Sequence, residues 1–102
     1  MNIINSIEKF KNEIQSRPED ATGYNLNIGR FVKREGVVDF YYYIPSRKWR
    51  NHTAPNDLNL ILPIDDTFLK NLFIEISLLP TQESVLIYLE NEIKIYNFLN
   101  PV

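Results

Sequence analysis

One short segment gathers most of the chain's chemistry-bearing residue types: Arg47-Lys48-Trp49-Arg50-Asn51-His52, with Tyr41 and Tyr43 close before it. Three cations around an indole can grip phosphates while the ring stacks on a base. The same composition suits a protein interface, where tryptophan, tyrosine and arginine carry most of the binding energy. A third outcome is that Trp49 folds inward and plugs the core while the cations stay solvated. Tyr41, Tyr43, Arg47, Lys48, Trp49 and Arg50 are therefore the candidate binding residues.

The materials for catalysis are sparse. His52 is the single histidine, and Ser46 or Asp57 could be drawn beside it as a base and its orienter. Nothing in the spacing fixes that geometry, so His52 reads as an exposed loop residue. The chain has no cysteine. That excludes disulfides, thiolate metal sites and cysteine nucleophiles, and it agrees with a reducing compartment. Asp65-Asp66 is the best acidic pair, but helix capping explains it more simply than a metal does. Gly23, Gly29 and Gly36 are scattered and form no phosphate-binding loop. No cofactor or metal is expected, and the chain does not read as an enzyme.

Charge is unevenly distributed. Residues 30–50 hold six cations (Arg30, Lys33, Arg34, Arg47, Lys48, Arg50) against Glu35 and Asp39. Residues 51–102 hold Lys70 and Lys94 against seven carboxylates. A basic middle and an acidic C-terminal half can mark binding surfaces.

These residues need a scaffold, and 102 residues suffice for a single α+β domain spanning 1–102. Ile3, Ile7, Phe10 and Ile14 recur at spacings of four, three and four, which predicts an amphipathic helix over 2–16 capped by Asn2 and stopped before Pro18. Residues 24–33 and 37–44 read as a hairpin around a three-residue loop, Arg34-Glu35-Gly36. In that register Leu26, Ile28, Val32, Val38, Phe40, Tyr42 and Ile44 face the core. Phe31, Lys33, Val37, Asp39, Tyr41 and Tyr43 face away, and Gly29 lies opposite Tyr41. Residues 45–57 read as a long loop and 58–62 as a short strand ending at Pro63. Asp65 and Asp66 open a helical turn over 65–71. Ile74, Ile76 and Leu78 alternate with polar residues and suggest a strand over 72–79. Residues 84–89 and 93–98 read as a second hairpin with Val85, Ile87, Leu89, Ile93 and Ile95 inward. The expected fold is thus an N-terminal amphipathic helix packed on a largely antiparallel five- to six-stranded sheet.

The N-terminus lacks the basic and apolar regions of a signal peptide, and no stretch is long enough to span a membrane, so a cytoplasmic location is expected. These features suit a small protein-binding module, such as an inhibitor or immunity protein that neutralises a toxin enzyme, for instance a nuclease, by surface binding. Nucleic-acid binding through the aromatic and basic hairpin face and the 47–52 loop is the competing reading. A homodimer is compatible with either.

Overall fold

The computed structural model describes residues 2–35, 38–43, 47–51 and 60–100, without the side chains of residues 34, 35, 38, 39, 41, 43 and 51. His52, Ser46, Asp57 and Gly36, invoked above, lie outside the described residues. The first helix, α1, spans Ile3–Glu13 and continues as a 3₁₀ turn over Ile14–Ser16. Asn2 caps it as expected, its side chain accepting the Asn5 N–H at 3.1 Å. Ile3, Ile7 and Phe10 are buried.

Strands β1 (Gly23–Asn25), β2 (Arg30–Glu35), β3 (Val38–Tyr43), β4 (Lys48–Asn51) and β5 (Ile61–Pro63) pair antiparallel in the order β4-β3-β2-β1-β5. Helices α2 (Asp66–Ile76) and α3 (Gln82–Leu99) follow. One apolar cluster joins Phe10 of α1, Tyr24, Phe31 and Leu62 of the sheet, Leu69 and Leu72 of α2, and Val85, Leu89 and Ile93 of α3. The Phe10 ring touches Tyr24, Phe31 and Phe73, with centroids 4.9, 6.5 and 6.0 Å away.

This corrects the expected architecture of one helix on a five- to six-stranded sheet. The chain is α+β with three α-helices. Of the strands expected, only those at 24–33, 37–44 and 58–62 contribute to the sheet. The first of these breaks into β1 and β2 around a turn at 26–29, and β4 comes from the expected loop. Residues 72–79, 84–89 and 93–98 form no strand: they lie in α2, the turn after it, and α3. Both helices are firmly started. Asp65 Oδ1 accepts the Phe68 N–H at 3.0 Å. Thr81 and Ser84 form a reciprocal capping box.

The hairpin register differs as well. Val32 pairs with Tyr41, Lys33 with Phe40 and Glu35 with Val38, so two residues, not three, separate the paired ends. The odd shift moves β2 across relative to β3. Phe31, expected outside, is buried in the core, while Ile28 is exposed. Gly29 is not opposite Tyr41. It sits in the turn at φ 66°, a left-handed conformation that suits glycine, and its carbonyl accepts from Lys9 Nζ at 2.6 Å. The expected register requires 24–33 to be one straight strand, and the turn at 26–29 breaks it.

Candidate functional site

The basic segment does not hang free. β4 hydrogen-bonds along β3, pairing Arg50 with Tyr41, Trp49 with Tyr42 and Lys48 with Tyr43. Alternation along the strand therefore separates the six candidate residues. Lys48 and Arg50 share one face of the sheet with the positions of Tyr41 and Tyr43. Trp49 occupies the other, toward the core, and Arg47 precedes the strand. Arg47, Lys48 and Arg50 are exposed. Arg47 has φ 52°, a left-handed conformation uncommon for a residue with a side chain.

Trp49 is half-buried and packs against the core cluster. Its ring meets Tyr42 edge-on at 5.3 Å, its Nε1 donates to Asp20 Oδ1 at 3.2 Å, and Lys33 Nζ stands over its face at 4.7 Å. The Lys33 ammonium also reaches the Phe40 ring at 5.7 Å and Asp20 Oδ2 at 2.9 Å. Lys33, expected on the outward face, is thus held on the core side by a carboxylate and two aromatic faces. The hydrogen bond from Lys33 is the main reason the Asp20 carboxyl titrates below its ordinary range, with the Trp49 bond adding to the effect.

The indole is therefore already engaged, whereas a second surface is exposed among the described residues. Along α3, Val85, Leu89 and Ile93 are buried, while Ile87, Ile95 and Phe98 are 53%, 52% and 83% exposed. At about 100° per residue these three fall on the side opposite the core stripe, with Asn91 between them. Leu99, at the end of α3, is also exposed. Glu83, Glu90 and Lys94 are exposed along one border of this stripe. On the other border, burial first, then the charges of Glu92 and Glu75, push the Tyr88 phenol above its ordinary pKa. Glu92 follows Tyr88 by one helical turn on that same side.

None of Ile87, Ile95, Phe98 and Leu99 was picked out as a site by sequence reasoning, which turned Ile87 and Ile95 inward. The signal was nevertheless present. In a helix a step of two residues rotates by about 200°, so apolar stripes on opposite sides appear as strand-like alternation.

Among the described residues no group of three or more histidine, cysteine or acidic side chains could hold a metal, and no helix is long and apolar enough to cross a membrane. Comparison with protein-family models, with curated proteins and with solved structures finds no match for this chain.

Proposed function

We propose that the chain is a non-catalytic, cytoplasmic protein-binding module, of the inhibitor or immunity type that neutralises a toxin enzyme by covering its surface. The observation that carries this reading is the wet apolar stripe of α3, Ile87, Ile95 and Phe98. Contiguous exposed apolar surface with a polar border is a feature of interaction sites. Covering the remaining half of each isoleucine is worth about 1 kcal/mol and covering Phe98 about 2 kcal/mol, which together can anchor an interface. An acidic border suits a basic target such as a nuclease cleft, with fast, salt-dependent association.

The test begins with the immobilised chain in lysate of its native host. The captured protein is identified by mass spectrometry, purified and titrated. Ile95→Gln with Phe98→Gln should weaken that complex at least thirtyfold and leave the melting temperature of the free domain nearly unchanged. If the double variant binds as tightly as the parent, the reading fails.

One observation favours a second reading. Lys48 and Arg50 share a sheet face with the positions of Tyr41 and Tyr43, an arrangement that could track a single-stranded nucleic acid. Trp49, the strongest stacking ring, packs toward the core instead. Retention on single-stranded DNA at low salt, lost in Lys48→Glu with Arg50→Glu, would favour this second reading over the first.

A further inference from the structure

We infer that the outward face of α3 receives an amphipathic helix whose flanks carry lysine or arginine. This inference rests on the protein-binding reading and names the partner's chemistry. The geometry of the stripe is the first argument. Eighteen residues of α3 make a straight ridge about 27 Å long. Ile87, Asn91, Ile95 and Phe98 follow at spacings of four, four and three, which keeps them on one side of the helix as a continuous ridge. A ridge of that kind is matched along its length by another helix, whose side chains enter its grooves.

The border supplies the charge argument. Glu83 and Glu90 are exposed on one side with Lys94, and Glu92, one turn after Tyr88, lies on the other. Three carboxylates against one ammonium leave the docking face acidic on both flanks. A second copy would set acidic flank against acidic flank, which opposes self-association. An anionic lipid surface is disfavoured for the same reason. A helix with cationic flanks is attracted, and it gains specificity because an acidic rival is repelled. Asn91, in the middle of the seam, favours a polar residue opposite it, which fixes register.

The test uses two synthetic helical peptides with the same leucine seam and a single central asparagine, one flanked by lysine and the other by glutamate. Each is titrated into the full chain, whose sedimentation is measured in parallel. The lysine-flanked peptide should bind at least tenfold tighter than the glutamate-flanked one and weaken at least tenfold between 50 and about 300 mM salt. Glu83→Gln with Glu90→Gln and Glu92→Gln should remove most of that preference, and Ile95→Gln with Phe98→Gln should remove binding of both peptides.

Equal binding of the two peptides would overturn the cationic partner while leaving the docking face in place. A dimer of the chain that dissociates on Ile95→Gln would make a second copy the occupant and overturn the inference. Binding of neither peptide by a monomeric chain would overturn the helical partner. The protein-binding reading itself falls only if the captured complex ignores the Ile95 and Phe98 substitutions, so the two failures are distinguishable.

Discussion

Trp49 is tied to Asp20, twenty-nine residues earlier, by a hydrogen bond of 3.2 Å from its indole nitrogen to Oδ1. The other carboxylate oxygen holds Lys33, whose ammonium lies over the indole face. The strand that carries the basic segment is thereby fastened to the loop after α1. Because Trp49 is the only tryptophan, intrinsic fluorescence reports on this fastening. The Asp20 carboxyl is held below its ordinary pKa, so its stabilising contribution is present above the unfolded value, near pH 4, and is lost as pH falls through the folded value. Emission of the folded protein should therefore shift below about pH 4, and Asp20→Asn should flatten that transition. A parent protein whose emission is unchanged on acidification, while circular dichroism shows it folded, would contradict the assignment.

Truncating the indole should cost stability as well. Trp49→Ala removes the edge-on contact with Tyr42, a hydrogen bond and a cation–π contact, together worth about 2 kcal/mol. Urea denaturation measures the loss. A change below about 0.5 kcal/mol, the range of neutral surface positions, would show the ring to be solvated.

Phe10 is fully buried between the sheet and α2. Phe10→Ala should destabilise by about 3–5 kcal/mol, because the aromatic cluster around it cannot close the cavity. In a domain of this size that can approach the whole folding free energy. A calorimetric loss below 1 kcal/mol would mean that α1 does not pack as described.

Tyr24 is buried and donates to Glu13 Oε2 at 3.3 Å. Burial, reinforced by the Glu13 charge, pushes its phenol well above the ordinary tyrosine value. The unfolded chain then loses this proton before the folded one does. Stability is intact below about pH 10 and falls as pH rises from there toward the folded pKa. Tyr24→Phe should be less stable at neutral pH but lose less on going from pH 9 to 11. Parallel stability–pH curves for the two proteins would refute the linkage.

The parts of the fold legible in the sequence are those where one local rule acts without competition. The stripe Ile3, Ile7, Phe10, the Asn2 cap and the Asp65 cap all depend on neighbours within a turn. The register of β2 against β3 was not legible, because it rests on a charge placed beside the core. Lys33 is held there by Asp20, Phe40 and Trp49, which lie seven to sixteen residues away in sequence. The third helix misleads for a reason tied to the candidate site itself. Val85, Leu89 and Ile93 form the core stripe, and Ile87 with Ile95 lies opposite. A helix serving only the core would carry polar residues there. The apolar residues that make α3 look like a hairpin are the ones exposed on its outer face.

The cap at the start of α3 has a measurable role. Thr81→Ala removes half of the capping box and should cost about 1 kcal/mol. With the stripe of α3 unaltered, affinity for the captured partner should fall less than threefold. A larger fall in affinity than in stability would place the contact at the start of α3 and not along its outer face.

A protein partner that docks on the outer face of α3 is detected residue by residue by methyl NMR of the isoleucine-labelled chain. Ile87 and Ile95 provide probes on the claimed face, Ile61 a probe on the sheet, and Ile7 a probe in the core. On titration with the captured and purified partner, the Ile87 and Ile95 methyl signals should shift or broaden at the lowest ratios. Those of Ile7 and Ile61 should stay in place. If Ile61 responds and Ile87 and Ile95 do not, the partner sits on the sheet, and the account given for α3 is wrong.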